Sequence, residues 1–96
     1  MGDAIVKDSF SVGTKAYCDV LIVGAGIAGV SAALAAARNG QNVILLEREY
    51  GLGGMATLGL IAIYLPLCDG MGRQVSFGIC EELLKLSIKY GADGPL

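Results

Sequence analysis

Three glycines in the first third of the chain have the spacing of a phosphate-binding turn. Gly24, Gly26 and Gly29 form a G-x-G-x-x-G pattern, and we call residues 24–29 the first glycine turn. In this pattern the first glycine permits a tight turn, the second lets the backbone approach a pyrophosphate, and the third brings the following helix close to the preceding strand. Backbone N–H groups and the positive end of the helix dipole then hold the phosphates without Lys or Arg. The pattern alone is weak evidence, so its meaning depends on the elements around it.

The surrounding sequence predicts a strand, the turn, a helix and a second strand. Residues 20–23 are a run of aliphatic side chains, residues 27–39 are rich in alanine, and Gly40 follows where a helix C-terminal cap belongs. Residues 43–46 form a second aliphatic run. Because such short runs are typical of strands covered on both faces, the sequence predicts a βαβ unit with two parallel, fully buried strands.

An acidic residue follows the second predicted strand. Glu47 lies 18 residues after Gly29, where a carboxylate accepts hydrogen bonds from the hydroxyls of an adenosine ribose. It would repel a 2′-phosphate, which disfavours NADP. Ala33 and Gly40 supply the small residue within the helix and the glycine at its end that let helix and strands pack closely.

The composition excludes several classes of protein. The chain has 96 residues, of which 54% are hydrophobic and 17% charged, with a net charge of −2. It is therefore not intrinsically disordered, and it does not bind nucleic acid through bulk positive charge. Residues 20–37 and 50–68 are uncharged and long enough to span a bilayer. Both contain glycines and the second contains Pro66, so we predict no membrane association, while insertion of residues 50–68 stays as an alternative.

Two segments resemble a known family. Residues 17–29, Tyr-Cys-Asp-Val-Leu-Ile-Val-Gly-Ala-Gly-Ile-Ala-Gly, continued by Ala33, Gly40 and Glu47, resemble the N-terminal dinucleotide-binding signature of FAD-dependent oxidoreductases. Residues 47–49 and 53–57 resemble the branch related to fumarate-reductase-like flavoproteins. The resemblance implies an α/β fold, with a Rossmann-like FAD/NAD(P)-binding βαβ unit and an incomplete parallel sheet in residues 17–96. Residues 1–16 are then an N-terminal extension.

The resemblance also implies FAD as the cofactor and indicates which residues bind it. Glu47 would bind the adenosine ribose, and residues 51–59, which we call the second glycine loop, would pass near the pyrophosphate and ribityl chain. Additional glycine backbone suits a longer cofactor than NAD. Arg48 is a candidate for the adenosine end. The cofactor-binding residues are predicted to be Gly24, Ala25, Gly26, Ile27, Ala28, Gly29, Glu47, Arg48, Gly53, Gly54, Met55 and Ala56.

The implied function is flavin-mediated hydride or two-electron transfer on a small-molecule substrate. The family's further strands and substrate domain do not fit after Gly91, so we expect a truncated chain that is inactive alone, with no catalytic residue to name. Two alternatives stay open: a non-catalytic dinucleotide-binding fragment, and a short NAD-binding Rossmann protein.

The other candidate residues are less informative. The chain has three widely spaced cysteines and no histidine, so we predict reduced thiols, no metal site and a cytoplasmic protein. Arg73 is a candidate for contact with an anionic substrate or a flavin carbonyl.

The last predicted element is an amphipathic helix over residues 79–90. Ser76 is its expected N-cap, Glu81 and Lys85 form an i, i+4 pair, Glu82 is solvated, and Gly91 ends the helix. Its apolar stripe comprises Ile79, Leu83, Leu86 and Tyr90. This stripe and residues 60–67 need a covering surface, so we expect self-association unless a partner or further chain supplies one.

Overall fold

The computed structural model of the chain describes residues 2–61, 63 and 66–91. Its elements follow in the order β1 (Val20–Val23), α1 (Ile27–Arg38), β2 (Val43–Leu46), a single 3₁₀ turn (Gly54–Ala56) and α2 (Ile79–Tyr90). The predicted strands and helices are all present. Part of the apolar run at residues 60–67, and the last five residues of the predicted 17–96 segment, lie outside the described residues.

The two strands form a parallel pair, as the βαβ prediction requires. Val20 is aligned with Val43 and Val23 with Leu46. Just before this ladder the N–H of Asp19 donates to the carbonyl of Asn42 at 2.8 Å, and the N–H of Asn42 donates to Oδ2 of Asp19 at 2.8 Å. This reciprocal pair joins the chain at the beginning of both strands. The α/β fold class with a Rossmann-like βαβ unit is confirmed.

The C-terminal end of α1 is capped by backbone hydrogen bonds and by the side chain of Asn39. It stops at Arg38, one residue earlier than predicted, and Asn39 is the C-cap. Nδ2 of Asn39 donates to the carbonyl of Ala35 at 2.8 Å. Gly40 follows with a φ of +79°, a conformation that glycine adopts without strain. The glycine expected at the end of the helix therefore lies one position after the cap.

The prediction that both strands are buried on both faces is wrong for the described part of the chain. Among those residues only Ala25 and Gly53 are buried. Leu21 and Val23 of β1 are 54% and 77% exposed. Strand side chains alternate between the two faces of a sheet, and α1 packs on one of them. The side chains of Leu21 and Val23 therefore belong to the face that α1 does not cover.

Helix α2 spans residues 79–90, as predicted, but its N-cap is not the predicted residue. Its N-cap is Gly78, with a φ of +77°, whereas Ser76 was expected. The hydroxyl of Ser76 does not cap the helix because the Gly78 turn separates the two. Glu81 and Lys85 form the predicted pair at 2.7 Å, and Gly91 is the C-cap. These last two predictions are confirmed.

The side chains of α2 that are half-buried differ from those of the predicted apolar stripe. Leu83 and Leu84 are half-buried, whereas Leu86 and Tyr90 are 48% and 73% exposed. Glu82, expected on the solvated side, accepts two hydrogen bonds of 2.9 Å from the guanidinium of Arg38. This fork-to-fork contact connects the end of α1 to the first turn of α2.

No helix within residues 2–61, 63 and 66–91 is long and apolar enough to cross a membrane.

Candidate functional site: the first glycine turn and its supports

The first glycine turn connects β1 to α1 and contains the best-buried residue of the described chain. Ala25 has no exposed surface. Gly24 has a φ of +99°, which L side chains rarely adopt. A Cβ added at Gly29 would lie 1.8 Å from the carbonyl oxygen of Gly24. The close approach of α1 to the end of β1 therefore requires glycine at position 29, as predicted.

Gly26 differs from the other two glycines of the pattern. It is the N-cap of α1, with φ −70° and ψ −171°, and a Cβ added there would meet no atom within 4 Å. Nothing in the described protein requires glycine at this position. The open space beside its backbone is what a bound phosphate group needs.

The backbone N–H groups at the beginning of α1 can donate hydrogen bonds to a phosphate group. The first helical bond runs from the N–H of Val30 to the carbonyl of Gly26. No side chain caps the helix and its first turn has no acidic residue. Within the described part of the chain, no hydrogen bond engages the N–H groups of Ile27, Ala28 or Gly29. These donors and the helix dipole form an anion-binding position at the turn.

The second glycine loop packs directly on the first glycine turn. The N–H of Gly53 donates to the carbonyl of Ala25 at 2.7 Å, and Gly26 and Gly53 form a parallel β-bridge. Gly53 has a φ of +102°, and a Cβ added there would lie 2.6 Å from Cγ2 of Thr57. A Cβ at Gly54 would lie 3.0 Å from Cα of Gly26. The glycines of the second loop therefore allow two stretches of backbone to touch.

Glu47 supports the same turn from the end of β2. Its Oε2 accepts the N–H of Ala25 at 2.7 Å, and its Oε1 accepts the N–H of Arg48 at 2.8 Å and of Glu49 at 3.0 Å. These bonds hold the pKa of the Glu47 carboxyl below its ordinary value, with the Glu49 N–H contributing most and the Ala25 N–H next. The sequence predicted a role for Glu47 towards a ribose but gave no sign of its bond to Ala25.

A cavity of about 430 Å³ opens at the carboxyl ends of the two strands. Val23, Gly24, Leu46, Glu47 and Arg48 line it. In open α/β sheets ligands bind outside the carboxyl ends of the strands, which is the position of this cavity. Arg48 is 91% exposed at its side chain, and its Nε lies 3.4 Å from Oε1 of Glu49. The structure thus brings Glu47 and Arg48 to one cavity beside the turn.

Met55 and Ala56 lie on a different and more apolar cavity, of about 460 Å³. It begins at Ile27, next to the first glycine turn, and continues to Cys80, Leu83 and Leu84 of α2. Of the twelve predicted cofactor-binding residues, Gly24, Glu47 and Arg48 thus line the cavity at the strand ends. Ile27, Met55 and Ala56 line the apolar cavity.

None of the remaining candidates lines the cavity at the strand ends. Arg73 belongs to a tight loop in which its N–H donates to Oδ1 of Asp69 at 3.2 Å, and it forms no ion pair within the described residues. Cys18, Cys68 and Cys80 are free thiols. Among the described residues no three His, Cys, Asp or Glu side chains lie close enough to hold a metal ion.

The residues present fit a dinucleotide such as FAD. The turn combines a glycine with open space beside it, helix N–H donors without acceptors in the described chain, and a carboxylate on the neighbouring cavity. This donor set suits a pyrophosphate attached to an adenosine.

Known proteins resemble the chain over most of its length. Residues 19–93 match the family described as FAD dependent oxidoreductase. The chain is 34% identical over 70 residues to the thioredoxin reductase of Ureaplasma parvum, an alignment that covers 73% of this chain and 23% of the relative. It is 45% identical over 83 residues to the 4-oxocyclohex-2-ene-1-carboxylate 5-dehydrogenase of Sinomonas cyclohexanicum, covering 80% of this chain and 14% of that protein.

A third relative is the vinyl phenol reductase of Lactiplantibacillus plantarum, 47% identical over 74 residues, which are 75% of this chain and 14% of that protein. The chain thus spans between 14% and 23% of the length of these three relatives. No solved structure matches it. The family match, the glycine turn and the βαβ unit agree, and this chain belongs to the FAD dependent oxidoreductase family, whose cofactor is FAD.

Proposed function

We propose that this chain is the FAD-binding N-terminal part of an oxidoreductase that transfers a hydride or two electrons to or from a small-molecule substrate. The observation that carries the proposal is the open backbone at Gly26. It lies between the first N–H groups of α1, which no acceptor among the described residues engages, and the cavity of Glu47. When bound, FAD supplies the redox chemistry, and the protein supplies position and electrostatics.

Each part of the site has a proposed contact. The N–H groups of Ile27, Ala28 and Gly29 hold the pyrophosphate, and Gly26 gives it access to the backbone. Glu47 accepts a hydrogen bond from the adenosine ribose, with Arg48 at the rim of the same cavity. The second glycine loop contributes mainly by supporting the turn, and its Met55 and Ala56 face the cofactor's more distant part along the apolar cavity.

The substrate is handled outside these residues. The relatives' names include two reductases and a dehydrogenase that act on different compounds, and the chain covers a small share of each. Among the described residues no pair of side chains suggests acid–base or nucleophilic catalysis. We therefore expect the chain alone to bind the cofactor without turning over a substrate.

Self-association is part of the same proposal. Large apolar side chains of β1 and β2 are exposed, including Leu21, Val23 and Leu46. Exposed apolar patches of this kind promote association. Sedimentation over a range of protein concentrations should show association, and a monomer at every concentration would contradict this expectation.

The cofactor assignment is tested by measuring binding of ADP, FAD and NAD to the purified chain by calorimetry and by gel filtration with visible absorbance. We expect ADP and FAD to bind, and Gly26→Ala to weaken both because its Cβ would occupy the phosphate position. Gly13→Ala, at an exposed glycine with open space around it, is the matched control. Tighter binding of NAD than of FAD would favour the short NAD-binding alternative, and no binding of any of the three would reject the proposal.

A further inference from the structure

We propose that Thr57, which is not among the predicted cofactor-binding residues, is a positioning residue of the cofactor site. Its hydroxyl orients the peptide group between Leu52 and Gly53, and that peptide group in turn holds the carbonyl of Ala25 in the first glycine turn. The effect on a ligand rests on the proposed function, whereas the effect on the peptide group concerns the free protein.

The peptide group between Leu52 and Gly53 is hydrogen-bonded on both sides. The hydroxyl of Thr57 donates to the carbonyl of Leu52. The N–H of Gly53 donates to the carbonyl of Ala25 at 2.7 Å. Because the C=O and the N–H of a peptide group belong to one plane, they turn together. A bond that fixes the carbonyl of Leu52 therefore also fixes the direction of the Gly53 N–H.

The two bonds also reinforce each other. A donor on the carbonyl polarises the peptide group and makes its N–H a stronger donor. Gly53 and Ala25 are both buried, so the N–H of Gly53 cannot exchange its acceptor for water while this contact stays closed. The residue after Ala25 is Gly26, whose open backbone is the proposed phosphate position. Thr57 thus acts on that position through two successive peptide groups.

The backbone of Thr57 is held independently of its side chain. Its N–H donates to the carbonyl of Gly54 and its carbonyl accepts the N–H of Leu60, both at 3.1 Å. The side chain lies against Gly53, since a Cβ added there would be 2.6 Å from Cγ2 and 2.9 Å from Oγ1 of Thr57. Loss of the hydroxyl should therefore remove the bond to Leu52 and leave the rest of the loop in place.

The role in the free protein is tested by hydrogen exchange at the Gly53 amide, measured by NMR without ligand. Thr57→Val removes the hydroxyl and keeps the branched shape, so exchange should become about fivefold faster. Thr57→Ser keeps the hydroxyl and should stay within about twofold of the unaltered chain. Ser87→Ala is the control, because it removes a hydroxyl-to-carbonyl bond within α2, from Ser87 to Leu83 at 2.8 Å.

The role in the cofactor site is tested by titrating ADP and FAD calorimetrically into the same full-length variants. We expect Thr57→Val to weaken both ligands by about fivefold, the change that corresponds to one hydrogen bond between uncharged groups. Thr57→Ser and Ser87→Ala should stay within about twofold of the unaltered chain. Because Thr57→Ser restores the hydroxyl without Cγ2, this pattern would assign the effect to the hydroxyl and not to packing.

Three results would overturn the positioning role. The first is unchanged exchange at Gly53 in Thr57→Val. The second is a loss of ligand affinity without faster exchange, because it would indicate direct contact between the hydroxyl and the ligand. The third is faster exchange with unchanged affinity, because the peptide group would then have no influence on the cofactor site.

Failure of the proposed function gives a different result. If neither ADP nor FAD binds the unaltered chain, the proposed function fails together with the cofactor half of the inference, while exchange at Gly53 still decides whether Thr57 holds the peptide group. If Thr57→Val does not fold, Thr57→Ser and Thr57→Ala form a second pair that differs only in the hydroxyl. The same differences in exchange and in affinity are expected within that pair, and equal values would overturn the inference.

Discussion

The N–H of Ala25 donates a hydrogen bond to Oε2 of Glu47 at 2.7 Å and so joins the first glycine turn to the end of β2, 22 residues further along the chain. The carbonyl of the same residue accepts the N–H of Gly53 at 2.7 Å. The backbone N–H and the backbone carbonyl of this buried residue are thus both satisfied by segments that lie far away in the sequence. The shape of the turn therefore depends on bonds to distant segments of the chain.

Replacement by alanine should affect stability strongly at Gly29 and ligand affinity mainly at Gly26. In Gly29→Ala the Cβ would lie 1.8 Å from a backbone oxygen, and we expect the free energy of unfolding to fall by about 3 kcal/mol or more. In Gly26→Ala the Cβ meets open space, so stability should change by about 1 kcal/mol or less while affinity for ADP and FAD falls. Urea unfolding and calorimetry measure the two effects. A stable Gly29→Ala variant would contradict the close approach of α1 to β1.

Gly53→Ala tests the contact between the two glycine segments. Position 53 has a φ of +102°, and the new Cβ would lie 2.6 Å from Thr57. We expect destabilisation by about 1 to 3 kcal/mol, with faster hydrogen exchange at the Gly53 amide. The matched control is Gly51→Ala, where the atom nearest to the Cβ belongs to the flexible side chain of Leu58, at 3.4 Å. Equal effects at positions 51 and 53 would show that the loop does not depend on Gly53.

Stability should decrease in acid because of Glu47 and Glu82. Hydrogen bonds lower the pKa of both carboxyls in the folded chain from the ordinary 4.5, chiefly the Glu49 N–H for Glu47 and Arg38 for Glu82. A lowered folded pKa means stabilisation that is complete above the unfolded pKa and is lost as pH falls through the folded one. Thermal unfolding between pH 7 and pH 3 should therefore show a falling midpoint below about pH 5.

The two carboxylates should contribute separately to that fall. Glu47→Gln should lower the thermal unfolding midpoint at neutral pH and make that midpoint depend less on acid pH. Glu82→Gln should remove a separate part of the acid dependence. An acid dependence that neither variant alters would contradict the assignment.

The contact between Arg38 and Glu82 should matter for α2 and not for the turn. In Arg38→Gln we expect modestly faster hydrogen exchange in the first turn of α2, with no change in ADP affinity, because exposed ion pairs contribute little to stability. Lys89→Gln, near the other end of the same helix, is the control. Its ammonium lies 5.0 Å from the ring of the neighbouring Tyr90. A loss of ADP affinity in Arg38→Gln would show that α2 takes part in the site.

The sequence by itself determined the elements and the type of site. Four aliphatic residues, a glycine turn and an alanine-rich run predict β1, the turn and α1 because each signal is local to the backbone that it shapes. The same local reasoning placed Gly40 near the end of α1 and paired Glu81 with Lys85. Local signals are weaker for helix caps: the sequence predicts Ser76 as the N-cap of α2, but Gly78 occupies that position.

Only the tertiary structure decided what supports the turn and how much of the sheet is covered. Gly53 and Glu47 contact Ala25 from 28 and 22 positions away, and no sequence period predicts a contact between a loop and a turn. Aliphatic strands predict burial, but burial also needs a layer on each face. The described chain places α1 on one face, so Leu21 and Val23 stay exposed. The sequence pattern thus determined which helices and strands form, and tertiary packing determined which of their atoms are in contact.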